Sequence, residues 1–306
     1  MKRARKKGVP PATPVAAWAP GWDEGAFGRF LEAIDAWFRG RGREFEVTPS
    51  GVKSAGREYA LDAVAETCLR MAAANWARVV ARHFERADET AKAVDSIKGR
   101  PDLAEIGGRL RVRVYPERYL DTSEGSTAVN QPVAPGLVAV LVIGEGGDAK
   151  PLTAEQADSW GISTPALFEA ARRNHVRRQV RREKAPEFEI GILMAEDHAT
   201  ASEMMFLEHY IPVDPPAGTL VTVPTQNSML FHEIRDGGVM NALQTLIVVG
   251  HGLFQDGPAA ILPVLYWWRR RRFATLPIEV KGESLRFLPP VEFVAALERI
   301  GVQLSD

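Results

Sequence analysis

Gly136-Leu-Val-Ala-Val-Leu-Val-Ile143 is an unbroken apolar run, followed by a turn at Gly144–Asp148. Side chains alternate between the two faces of a strand, so the run predicts a central strand buried on both sides. Upstream, Leu110–Val114 alternates apolar and basic residues like a half-buried strand, and Tyr115-Pro116 then breaks the pattern. Downstream, Phe188–Met194, Leu220–Val223 and Met229–Ile234 read as further strands. Ile278–Val280 and Leu285–Leu288 face each other across Lys281-Gly282-Glu283 as a hairpin. Strands joined by hairpins and interrupted by helices predict an α+β fold with mainly antiparallel or mixed sheets, not a regularly alternating parallel sheet.

Apolar spacing supplies the helices. Phe27, Phe30, Leu31, Ile34, Trp37 and Phe38 form one stripe of a helix over Asp23–Arg39, with Asp23 able to cap it and Gly40 able to end it. Glu44–Val47 and Val52–Tyr59 read as short strands around a Pro49–Gly51 turn. A long helix is predicted from Leu61 to Glu85, with Cys68 in its apolar face. Thr153-x-x-Gln156 is a capping box, and Thr164–Lys184 reads as a longer helix. Short helices are expected over Ala199–Leu207 and Val239–Val249, and Pro290 opens a last helix that Gly301 stops. No internal repeat is present.

These elements suggest a disordered basic, proline-rich arm over residues 1–22 and two mixed α/β lobes, 23–150 and 151–306. The 306 residues are 45% hydrophobic and 25% charged, which excludes a mainly disordered or collagen-like chain. A single cysteine excludes an intrachain disulfide framework and fits a reducing compartment. The basic start lacks the apolar segment of a secretory leader. Gly257–Trp268 has twelve apolar, Gly or Pro residues where a membrane span needs about 20, so it reads as a core segment ending at the surface.

The formal net charge of -1 hides an uneven distribution. Residues 1–7 carry five basic side chains, residues 172–184 carry seven against one acidic, and Arg269–Arg272 add four. The remainder is therefore strongly acidic, and local patches should matter more for partners than the total.

Several segments together resemble a known family. Leu110-Arg-Val-Arg-Val-Tyr-Pro-Glu-Arg-Tyr-Leu120 precedes the Gly136–Ile143 strand; Leu152-Thr-Ala-Glu-Gln-Ala-Asp-Ser-Trp-Gly161 and Ala166-Leu-Phe-Glu-Ala-Ala-Arg-Arg-Asn174 follow it. Gly218-Thr-Leu-Val-Thr-Val-Pro224 comes later, with Asn227 after it. This run resembles the YtpQ-like family, a bacterial domain of unknown function, over roughly residues 25–290, with Thr225-Gln226 and Arg269–Arg272 departing from its pattern. The resemblance implies a cytoplasmic bacterial protein of mixed α/β structure and implies no known reaction.

Catalytic signatures are weak. Gly144-Glu-Gly-Gly-Asp-Ala149 has the outline of a dinucleotide loop, but the helix start at Thr153 comes too late and no acidic ribose ligand follows a further strand. No cofactor is expected. His232-Glu233 followed by Asp236 has the outline of half a zinc-protease helix, yet the alternation of Met229–Ile234 points to a strand, and no metal ligands are assigned. No nucleophile elbow occurs, and Cys68 reads as a packed thiol.

The Thr164–Lys184 segment is the most informative. Leu167, Phe168, Ala171, His175, Val176, Gln179 and Val180 suggest a buried side, and Arg172, Arg173, Arg177, Arg181 and Lys184 sweep the other. That stripe suits either a solvated helix face or a docking face for carboxylates or phosphates. Asn174, inside the expected helix, is a candidate structural polar anchor. Trp267, Trp268, Arg269 and Arg270 form a second patch suited either to stacking and partner binding or to a charged strand edge. The function expected is a non-catalytic cytoplasmic protein that docks an acidic partner protein through these two patches. The alternatives are nucleic-acid binding through the basic patches and a hydrolase built on His232, Glu233 and His251.

Overall fold

The computed structural model describes residues 15–303, apart from Ala17, Pro20, Ser50, Lys98, Ser123, residues 145–148, residues 186–187, Glu196, Pro212, Asp214 and residues 282–283. The basic start at residues 1–7 and most of the Gly144–Ala149 loop therefore lie outside the described residues. The fold is α+β, and every strand pairing is antiparallel. The chain divides into two compact units between Ala93 and Val94.

Unit 1 is built from α1 (Glu24–Arg39), β1 (Glu46–Thr48), β2 (Gly51–Ser54), β3 (Arg57–Ala60), α2 (Asp62–Leu69) and α3 (Trp76–Asp95). The α1 stripe falls as predicted: Phe27, Phe30, Leu31, Ile34 and Phe38 are fully buried, and Asp23 Oδ1 accepts from Ala26 N. The single strand expected over Val52–Tyr59 is instead a hairpin, turned at Ala55 and Gly56 with φ of 50° and 80°. The long helix expected from Leu61 is broken after Leu69. There the Trp76 indole donates to the carbonyls of Cys68 (2.7 Å) and Met71 (3.2 Å), satisfying the open end of α2 before α3 begins. The arm expected over 1–22 is ordered at its end, where Trp18, Ala19 and Trp22 are buried against α1 and Trp76.

Unit 2 holds α4 (Leu103–Gly107), β4 (Leu110–Pro116), β5 (Asn130–Ala134), β6 (Leu137–Ile143), β7 (Lys150–Pro151), α5 (Ala154–Trp160) and α6 (Thr164–Arg173) in its first part. β6 is buried along its whole length and pairs with β4, β5 and β7, as an apolar run without alternation requires. Position 150, expected as a lobe boundary, lies inside the β6–β7 pairing, so the division falls earlier in the chain. α6 packs over β4 and β6 through Leu167, Phe168 and Ala171.

The rest comprises β8 (Arg181–Lys184), β9 (Glu189–Met194), a 3-10 segment Thr200–His209, β10 (Thr219–Thr225), β11 (Ser228–Glu233), α7 (Val239–Asp256), β12 (Leu265–Arg269), β13 (Arg272–Leu276), β14 (Ile278–Lys281), β15 (Ser284–Phe287) and α8 (Val291–Glu298). Six strands form one sheet in the order β13-β12-β10-β11-β9-β8, and β14 and β15 form the expected hairpin. Val221, Val223, Met229, Phe231 and Tyr266 pack with Met204 and Leu207 of the 3-10 segment. Leu220, Leu230, Ile234 and Trp267 pack with Val239, Leu243 and Leu246 of α7 and Phe293 of α8. No helix among the described residues is long and apolar enough to cross a membrane.

Candidate functional site

The helix expected over Thr164–Lys184 ends at Arg173. Asn174 is its C-cap, and its side-chain amide donates to the carbonyls of Gly107 and Leu110 (2.8 Å to the latter), pinning the helix end to β4. Residues 175–180 leave as irregular chain, and Arg181–Lys184 become the edge strand β8. The arginines therefore do not share one helix face. Arg172 and Arg173 sit on α6, with Arg173 paired to Glu169 one turn back. The Arg177 guanidinium lies over the Tyr210 ring, 5.6 Å from its centroid, and Arg181 pairs with Glu183 at 3.1 Å.

The sheet register nevertheless brings two basic blocks to one rim. Trp268 pairs with Phe273 and with Thr219, Thr219 pairs with Glu233, and Glu189 pairs with Lys184. Phe231 pairs with Gly191, which sets Glu233 beside Glu189. The Arg269–Arg272 hairpin end and the Lys184 end of β8 thus mark opposite corners of the same sheet end. Five strand spacings separate them, about 24 Å at ~4.8 Å each.

Arg182 organises the β8 corner. It donates to Glu189 Oε1 (2.7 Å), Glu233 Oε1 (3.2 Å) and the Tyr210 carbonyl (3.1 Å), over the Phe231 ring. That hydrogen bond, with charge from Arg182 and Lys184, holds the Glu189 carboxyl below its usual range against the effect of burial. Phe231 can lie across the strand because Gly191 has no side chain; a Cβ there would fall 2.3 Å from the ring. Arg235 also donates to Glu233, at 2.6 Å.

At the other corner, Arg270 and Arg271 take φ of 49° and 60° in a two-residue turn, and Arg271 pairs with Glu208. Trp267 and Trp268 are only 7% and 8% exposed, and the Trp267 indole donates to Ala217 at 2.8 Å. Their expected role as a stacking surface is corrected: burial leaves both rings to the core. Arg269 lies over the Trp267 ring at 5.6 Å, and Arg270 is exposed.

The expected His232, Glu233 and His251 site does not assemble. His232 shares the α7 face of β11 with Leu230 and Ile234, and its Nδ1–H donates to the Glu189 carbonyl (2.8 Å). Glu233 projects to the opposite face toward Arg182, and His251 is exposed on α7. Burial pushes the His232 pKa down, favouring the neutral ring. Among the described residues no group of three or more His, Cys, Asp or Glu side chains is placed to share a metal ion.

One network escapes sequence reasoning. Glu203, 3% exposed, receives Arg178 Nε (2.8 Å) and the Tyr210 hydroxyl (2.5 Å), and faces His175 Nε2 at 2.6 Å. Arg178 also reaches Asp197 at 2.6 Å, and His175 stacks on Phe206. Burial, and then the bond to Glu203, raise the Tyr210 pKa, so its hydroxyl stays a donor. These groups are saturated by one another and anchor residues 175–178 to the 3-10 segment. No comparison, whether with protein families, curated proteins or solved structures, finds a match for this chain.

Proposed function

We propose that the protein is a non-catalytic, cytoplasmic binding protein that docks an acidic partner protein on the rim of its six-stranded sheet. The observation that supports this reading is the register, which sets Lys184 and the Arg269–Arg272 hairpin at one end of a single sheet. Guanidinium and ammonium groups spread along a strand-end rim suit carboxylates carried on a partner surface, and such rim charges act mainly on encounter rate and specificity. Arg172 and Arg173 belong to α6 and to no strand of this sheet. Arg182 and Arg271 pair with Glu189 and Glu208 yet remain exposed, Lys184 pairs with Glu189 at 3.6 Å, and Arg270 and Arg272 are further exposed cations of the rim.

The test is binding of the full chain to an immobilised peptide rich in Glu and Asp, measured at low and at high salt. Replacing Lys184, Arg270 and Arg272 by Glu should weaken binding about tenfold or more at low salt, with an unchanged circular dichroism spectrum. Arg172→Glu should leave binding as it was. Equal binding by the triple variant, or no binding by the native chain, overturns the reading. Retention on duplex DNA with a steep salt dependence, and none on the peptide, would favour nucleic acid instead.

A further inference from the structure

β8 (Arg181–Lys184) closes one side of the six-stranded sheet and is exposed along its whole length. Which of its backbone groups face outward follows from the ladder. Ala185 N–H donates to the Phe188 carbonyl (2.8 Å), and Lys184 lies opposite Glu189. Bonded and non-bonded pairs alternate along an antiparallel ladder. Glu183–Ile190 and Arg181–Ile192 are therefore bonded pairs, and Arg182–Gly191 and Lys184–Glu189 are not. The other side of β9 agrees. Ala195 N–H donates to the Asn227 carbonyl (3.1 Å), which makes Gly191 a bonded partner of Phe231 and leaves Ile190 and Ile192 to β8. The backbone N–H and C=O groups of Arg182 and Lys184 thus point away from the sheet. Among the described residues no strand or side chain meets them.

The outer edge of β4 is treated differently. Gly144 N–H donates to the Arg109 carbonyl (3.3 Å), so Leu110 and Val114 face outward by the same alternation. There Val114 N–H donates to Ser202 Oγ (3.1 Å), and the Leu110 carbonyl accepts from the Asn174 amide (2.8 Å). One edge is closed by side chains; the β8 edge is left as a template for a further strand.

The side chains at the open positions select what can pair there. An antiparallel strand bonds to Arg182 and Lys184 through the residues directly opposite them. In a second copy of β8 those residues would again be Arg182 or Lys184, so every such register sets two cations face to face. Carboxylates at those positions face a cation instead. The present carboxylate partners of β8 are Glu183 on β8 itself, Glu189 on β9 and Glu233 on β11, so none among the described residues comes from beyond the edge.

We infer that β8 takes up an extended segment of the acidic partner as a seventh, antiparallel strand, with Asp or Glu side chains opposite Arg182 and Lys184. This rests on the docking reading above and adds how the partner is held: main-chain bonds supply the grip, and the alternate side chains supply the choice.

The probe is a short peptide alternating Glu and Thr, bound to the full chain at low salt. Two isomers of it carry backbone N-methyl groups, one on the Glu residues and the other on the Thr residues. Composition and charge are identical, so purely electrostatic docking treats them alike. With Glu opposite Arg182 and Lys184, the Glu N–H groups face β8. The N-methyl-Glu isomer should therefore bind at least about tenfold more weakly than the unmodified peptide, and the N-methyl-Thr isomer about equally well. Hydrogen exchange followed by NMR should show the Arg182 and Lys184 amides protected only when the peptide is bound. Lys184→Pro, which removes an outward N–H and no ladder bond, should weaken binding more than Lys184→Gln, which removes the charge alone. Equal binding of the two isomers, or no new protection at Arg182 and Lys184, overturns the strand addition while the rim reading stands. Failure of the unmodified peptide to bind overturns both.

Discussion

Arg178 donates through Nε to Glu203 Oε1 at 2.8 Å, joining the chain just beyond α6 to a carboxylate 25 residues later. The same carboxylate takes the Tyr210 hydroxyl and faces His175, and almost none of it meets solvent. A buried charge of this kind is tolerated only because its partners are complete.

Removing it should therefore be costly. Glu203→Ala leaves the Arg178 guanidinium with Asp197 alone and the Tyr210 hydroxyl proton without its acceptor, so a loss of about 3–5 kcal/mol is expected. Glu203→Gln keeps an acceptor at the same place and should cost less. Equilibrium urea unfolding of the three proteins at neutral pH measures both, and equal stabilities would show that the network is dispensable.

Two groups give stability a defined pH dependence. Both His232 and Glu189 have folded pKa values below their ordinary ones, so the unfolded chain binds more protons and stability falls as pH falls. For His232 the loss begins below the unfolded imidazole value of about 6.5. For Glu189 it begins below the unfolded carboxyl value of about 4.3 and continues through its lowered folded one. His232→Leu should flatten the first part of a plot of melting temperature against pH, and Arg182→Gln the second. A native curve that is flat from neutral pH to mildly acidic conditions would contradict the His232 assignment.

Cys68 is fully buried in the α2 face, and burial pushes its thiol up to about 12. The thiolate is the reactive form. Iodoacetamide at about pH 8 should thus leave the native chain unmodified and alkylate it once urea is added. Mass spectrometry reads the result, and rapid alkylation of the native protein would mean that the α2 face opens.

How much of the fold is legible in the sequence follows from the range of the forces involved. The α1 stripe, β6, the Thr153 capping box and the β14–β15 hairpin are set by neighbours within a few residues, and they read correctly. The end of α6 does not. Apolar residues recur past Arg173, but the bonds of Asn174 to Gly107 and Leu110 are made with chain more than 60 residues away and override the local pattern. The break after α2 has a similar cause, since the Trp76 indole that caps it looks from sequence like one more apolar residue of a single helix. The rim is half legible: its charges are in the sequence, but only the pairing of six strands shows that Lys184 and the Arg269–Arg272 turn share an end. The burial of Trp267 and Trp268 is hidden because both faces of β12 are covered, so consecutive aromatic residues are both inside.

The Arg270–Arg271 turn allows charge and fold to be separated. Both residues have positive φ, a conformation that costs a side-chain-bearing residue about 1 kcal/mol or more and that Asn-Gly adopts readily in two-residue hairpins. The double substitution Arg270→Asn, Arg271→Gly should therefore raise the melting temperature, although it deletes the Arg271–Glu208 ion pair, because an exposed pair contributes at most about 1 kcal/mol. The same substitution removes two cations from the rim and should weaken binding of an acidic peptide. A variant that is more stable and binds less well assigns these arginines to recognition. A variant that is less stable shows that the pair with Glu208 holds the hairpin, and unchanged peptide binding in it removes the turn from the docking surface.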